Sequence, residues 1–255
     1  MLRHWAEQEL SEDYLRDAYR ILWGARTIDE ASDAVRILMA SSETAAICTV
    51  FDALSYSFCE GGWEDQKIFQ PLESALLGLA REQLASPPRS ATSPSGDQIP
   101  EANHASAMSV LWRCGVWEDL RYILSVLLTS SNNFLVAPAA LACLAIPYRS
   151  AGSLPEEFVE ALVRVARCSI FWEDTRASAI KALATCGKHG LFVIAALAPE
   201  VGYPISIYAA LALANSGDAY FRERAVALTQ EWPVPAEYPG GEVKQLLGLP
   251  RHPEE

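Results

Sequence analysis

Histidine, cysteine and paired carboxylates are the side chains here that could do chemistry, and their spacing decides which chemistry is open to them. The four histidines are His4, His104, His189 and His252. None falls in the His-Glu-x-x-His spacing of a zinc hydrolase. His4 and His252 lie near the ends of the sequence, His104 at an expected helix start, and His189 in the turn Gly187-Lys-His-Gly190. Each reads as a solvated or capping residue. The six cysteines, Cys48, Cys59, Cys114, Cys143, Cys168 and Cys186, show neither metal nor disulfide spacing. Each is embedded in an apolar helical pattern, which predicts buried thiols in a reducing compartment. Glu118 and Asp119 are adjacent, and neighbours on a helix point in different directions, which makes a poor acid–base pair. No Gly-rich phosphate loop follows a strand, and the pattern gives no convincing strand. The expectation is therefore no catalytic residue, no metal, no cofactor, and a chain that is not an enzyme.

One motif does recur. Gly62-Trp-Glu-Asp65, Val116-Trp-Glu-Asp119 and Phe171-Trp-Glu-Asp174 each follow a cysteine, at separations of 54 and 55 residues. Two readings compete. The tryptophan can pack on the first helical turn as a hydrophobic staple while the acids cap it. Alternatively, Trp63, Trp117 or Trp172 is a contact residue, since tryptophan is enriched among interface hot spots.

Charge bears on the partner. Lysine and arginine total 20, aspartate and glutamate 32, for a net charge of -12. Acidic groups such as Asp29-Glu30, Glu118-Asp119, Glu156-Glu157 and Glu173-Asp174 stand where helices should begin, where they suit the exposed amides and the positive dipole end. The balance argues against nucleic acid, which needs a concentrated basic surface. It favours a protein partner of basic character. No run of 18 apolar residues spans a membrane, and the first residues have no core of signal-peptide length. The expected location is the cytoplasm.

The elements that position these residues follow from internal repetition. His104-Ala-Ser-Ala-Met-Ser-Val-Leu-Trp-Arg-Cys-Gly115 returns as Arg176-Ala-Ser-Ala-Ile-Lys-Ala-Leu-Ala-Thr-Cys-Gly187, six of twelve positions being identical. Tyr208–Gly217 repeats the second copy at an offset of 30, and Ala137–Leu144 aligns more weakly with Ala105–Trp112. Small alanines sit where helices must approach, and Gly115, Gly187 and Gly217 are expected to end helices in a left-handed backbone. Fixed self-similarity of this length predicts a stack of helical hairpins. Helices are expected at about 102–114, 118–130, 134–146, 155–168, 173–186, 190–198, 204–216 and 218–230, with earlier ones between residues 11 and 82. Ser153-Leu-Pro-Glu156 is a start signal. Ser86-Pro-Pro-Arg-Ser-Ala-Thr-Ser-Pro-Ser95 reads as a mobile loop. The expected division is residues 1–82, N-terminal helical repeats; 83–101, a flexible Ser/Pro-rich insertion; 102–231, further repeats; and 232–255, a Pro-rich end lying along the last helix or fraying.

Thr175-Arg-Ala-Ser-Ala-Ile-Lys-Ala-Leu-Ala-Thr-Cys-Gly187, with the preceding Asp174, resembles the short HEAT-like (armadillo-type) helical repeat of many bacterial proteins. The resemblance covers residues 102–231 well and 11–82 faintly. The Ala137 copy departs from it, with Pro147 where glycine is expected, and the copy ending at Gly217 lacks the arginine. It implies an all-α, right-handed superhelical solenoid of antiparallel helix pairs, about twelve helices in all, acting as a non-enzymatic scaffold or regulatory adaptor. Two alternatives come with it: an immunity-type protein neutralising a basic toxin, and an enzyme on a HEAT-like scaffold, of DNA glycosylase or lyase type. The glycosylases need a basic groove, and no run here supplies one. For a scaffold, the inner surface should come from the second helix of each hairpin. Its candidate contacts are Arg121, Tyr122, Glu160, Arg164 and Arg167, beside the three tryptophans.

Overall fold

The structure is a computed structural model that describes residues 73–92, 98–233 and 239–250. The helices expected before residue 73, and Trp63 with them, lie outside these residues. The described chain is all-α. It holds ten α-helices and one two-residue antiparallel pairing: α1 Glu73–Ala85, β1 Ala91–Thr92, β2 Gln98–Ile99, α2 Ala102–Cys114, α3 Leu120–Thr129, α4 Asn133–Ser150, α5 Phe158–Arg167, α6 Glu173–Ala184, α7 Gly187–Val201, α8 Ile205–Ala214, α9 Ala219–Thr229 and α10 Gly240–Leu246. A short 3-10 turn, Trp117–Asp119, precedes α3. No described helix is long and apolar enough to cross a membrane. The chain divides between Tyr122 and Ile123 into two compact units.

In the first unit α1 packs against α2. Leu76 and Ala80 of α1 and Ala107, Met108 and Leu111 of α2 are buried, with one apolar face on each helix. The start of the Ser/Pro-rich segment is tied to α2. Asn103 is fully buried. Its Oδ1 accepts the Arg89 N–H at 2.7 Å, while Nδ2 donates to the Pro87 carbonyl at 3.3 Å. His104 Nε2 lies 2.8 Å from the Ser86 carbonyl, which makes it the protonated ring nitrogen. Ala91 and Thr92 then pair with Ile99 and Gln98. Polar side chains at the start of a helix thus hold a segment whose own composition could not.

In the second unit each helix from α5 to α8 packs on its successor and on the one after. α5 packs on α6 and α7, α6 on α7 and α8, α7 on α8 and α9, and α8 on α9 and α10; α4 packs on α6. Helix α6 is central, and its buried side chains include Ala177, Ala179 and Ala182 beside Ile180 and Leu183. Alanine permits the backbones to approach, and larger side chains fill the space between them. Helix α5 shows the sorting most clearly. Phe158, Ala161, Leu162 and Val165 are buried while Glu160 and Arg167 are exposed. Full burial of a side chain such as Phe158 contributes about 1.5–3 kcal/mol.

Several expectations change. Helix α5 starts at Phe158, not at the Ser153 signal. Ser153 is exposed, Leu154 is buried, and Pro155 and Glu156 accept turn hydrogen bonds from Phe158 and Val159. Burial of Leu154 fixes the approach and postpones the first helical turn. Gly187 and Gly217 have φ of 68° and 73°, as expected, but Gly115 has φ -57°. Gly115 is required for space instead, since a Cβ there would collide with the Leu111 carbonyl. Helix α4 runs through Pro138 and Pro147 to Ser150, beyond the expected end. The Pro-rich end forms α10, which packs on α8 and α9. Trp232 is buried and its indole N–H donates to Ser206 Oγ at 3.1 Å.

Candidate functional site

Among the described residues no group of three or more His, Cys, Asp and Glu could hold a metal ion. Burial pushes the Cys143 thiol well above its ordinary range, and the nearby Cys186 adds to this. Burial likewise holds Cys186 up to about 11. Thiols held protonated at neutral pH are poor nucleophiles. His189 approaches Glu156 at 3.7 Å in an exposed pair.

The repeated Trp-Glu-Asp motif gives two different structures. At Trp117–Asp119 it forms the 3-10 turn. Asp119 is buried, accepts the Val116 N–H at 2.9 Å, and is gripped by Arg81 through Nε at 2.7 Å and a terminal nitrogen at 3.0 Å. The hydrogen bonds from Arg81 to Asp119 hold its guanidinium pKa above the ordinary value. At Trp172–Asp174 the two acids instead enter the first turn of α6 and are exposed. The residue buried at that turn is Phe171. Trp172 stays 48% exposed and meets Phe134 of α4 edge-on, with ring centroids 5.2 Å apart.

An apolar edge is built around Trp172, and its position follows from two neighbouring asparagines. Asn132 caps α4 by accepting the Phe134 N–H at 3.0 Å. Asn133 crosses to the loop between α5 and α6: its Oδ1 accepts the Trp172 N–H at 2.9 Å and its Nδ2 donates to the Ile170 carbonyl at 2.9 Å. Phe134, Ile170 and Trp172 all stand partly in solvent beside this bridge. Arg164 supports it from beneath. Its guanidinium donates to the Leu127 carbonyl at 2.7 Å and the Ser130 carbonyl at 3.0 Å, closing the end of α3, and lies 5.6 Å from the centre of the Phe171 ring.

Glu160 is exposed on α5. Arg167 forms a forked pair with Glu200 at 2.8 and 3.1 Å, both side chains about half exposed. Glu160, Arg164 and Arg167 share one side of α5 by their spacing. In the first unit, Trp117 is part exposed. Arg121 donates to the Tyr122 hydroxyl at 2.9 Å and lies 4.7 Å from the centre of that ring.

Sequence reasoning missed Asn133, Phe134 and Ile170. The Asn-Asn pair before an apolar run was the available signal. It also missed a second aromatic cluster, Phe192 with Tyr220 and Phe221 at 5.0–5.8 Å, where Lys188 lies 5.9 Å from the Phe192 ring centre and Arg224 5.4 Å from that of Tyr220. Compared with protein-family models, curated proteins and solved structures, the chain matches none of them.

Proposed function

We propose that this chain is a non-enzymatic protein-binding scaffold or regulatory adaptor, built as a HEAT-like right-handed solenoid of antiparallel helix pairs and offering an acidic surface to a partner protein. The observation that carries the reading is the exposed aromatic edge Phe134–Ile170–Trp172, fixed in place by both ends of the Asn133 amide. Part-exposed aromatic side chains held in one arrangement lose little freedom on binding, which is what makes an effective anchor. The packing order from α5 to α8, where each helix packs on its next two successors, supports the repeat architecture. The net charge of -12 favours a basic partner over nucleic acid.

Affinity purification of the full chain from its native cell, followed by mass spectrometry and reconstitution with purified components, tests this. A stable protein partner whose association slows as salt rises is expected. Recovery of nucleic acid with no stable protein partner would overturn the reading.

A further inference from the structure

Resting on this protein-binding reading, we propose that the Trp172 edge receives an arginine side chain of the partner, its guanidinium stacked on the indole with Glu173 and Asp174 supplying the counter-charge. Three observations lead there. First, the ring is open and preset. Trp172 is 48% exposed, supported edge-on by Phe134, and its backbone is tied by Asn133. Second, the edge is acidic and holds no base of its own. Segments 130–135 and 168–175 contain Glu173 and Asp174 but neither lysine nor arginine. The flanking arginines are engaged elsewhere: Arg164 with the Leu127 and Ser130 carbonyls, and Arg176 with the Ala166 and Val201 carbonyls.

Third, the second exposed aromatic cluster among the described residues already carries its own cations, Lys188 by Phe192 and Arg224 by Tyr220. Among the described residues no cation lies over Trp172, although indole is the aromatic ring that attracts cations best. Arginine fits better than lysine. Its guanidinium is planar and weakly hydrated, so it can lie on a ring and still donate to a carboxylate with its edge. Helix α6 begins at Glu173, so the two carboxylates directly follow the ring in the chain.

The test uses the full-length protein labelled with nitrogen-15 and a capped glycine-spaced peptide bearing three arginines. A citrulline twin keeps the shape without the charge, and a lysine twin keeps the charge without the plane. The Trp172 indole resonance, identified as the one missing in Trp172→Phe, should move saturably with the arginine peptide. The lysine twin should bind about threefold or more weakly, and the citrulline twin should leave the resonance unmoved. Glu173→Gln combined with Asp174→Asn, which keeps side-chain size at an exposed helix start, should weaken the arginine peptide about threefold and flatten its salt dependence. Equal response to the citrulline twin would overturn the proposal, as would arginine-peptide binding unchanged in Trp172→Ala of native far-ultraviolet spectrum. The peptide titration decides the edge whatever the affinity purification returns. A native partner that binds undiminished to Trp172→Ala would leave the scaffold reading standing and refute this one.

Discussion

Two forked arginine–carboxylate pairs of nearly equal geometry stand in very different surroundings, and comparing them separates burial from contact distance. Arg81 grips Asp119 at 2.7 and 3.0 Å, and Arg167 grips Glu200 at 2.8 and 3.1 Å. The Asp119 side chain is 1% exposed, whereas those of Arg167 and Glu200 are 53% and 52% exposed. Arg81→Ala leaves a buried carboxylate holding only the Val116 N–H, and should cost about 3–5 kcal/mol. Asp119→Ala removes three charge-assisted hydrogen bonds, but it leaves the Arg81 side chain, 38% exposed, to rehydrate. It should cost less, about 2–3 kcal/mol. Glu200→Ala should cost about 1 kcal/mol or less. Asp174→Ala, at the position equivalent to Asp119 in the third copy of the motif, should also stay within about 1 kcal/mol. Urea unfolding followed by far-ultraviolet circular dichroism gives the totals, and hydrogen exchange read peptide by peptide scores the two units separately. Equal losses from Arg81→Ala and Glu200→Ala would refute the argument that burial sets the worth of the pair.

Two glycines should respond in opposite directions. Gly78→Ala in α1, where an added Cβ meets nothing, should stabilise by about 0.5–1 kcal/mol, whereas Gly190→Ala would drive a Cβ into the Leu183 carbonyl and should destabilise by more than about 2 kcal/mol; thermal melts of both variants check the signs. Native iodoacetamide labelling at neutral pH, mapped by peptide mass spectrometry, should spare Cys143 and Cys186. Because burial holds Cys186 up to about 11, against about 8.5 in an unfolded chain, the unfolded state loses that proton first. This thiol's contribution to stability should therefore be intact below about pH 8.5 and decline as the pH rises towards 11. Denaturant midpoints across that window, compared with those of Cys186→Ala, measure it.

The helices of the second unit were legible because alanine spacing and glycine stops are local signals, and α6 begins at the expected Glu173. Where a start depended on a distant contact it was not. Ser153 carries every local mark of a cap, yet Leu154 is drawn into the core and the helix waits until Phe158. Gly115 shows a similar limit. The sequence called for glycine, but the physical reason is the nearness of the Leu111 carbonyl and not a left-handed turn. The candidate edge was half legible. Trp172 announced itself by repetition, whereas Asn133 and Phe134 join it from 38 or more residues away, a separation that no helical period connects. Trp-Glu-Asp taught the same lesson, since one three-residue pattern buries its aspartate at Asp119 and exposes it at Asp174. Arg81, the partner that makes the difference, is far away in sequence.

Asn133 also makes the presentation of the indole depend on one side-chain atom. Its amide oxygen accepts from one side of the loop and its amide nitrogen donates to the other. Only a group with both functions can do this. Asn133→Asp would replace the donor with a second acceptor and set a negative oxygen against the Ile170 carbonyl. The Trp172 N–H could still be held, but the loop would be pushed away from α4 at its other end. The indole would then be presented less firmly, although its own ring and its neighbours were untouched.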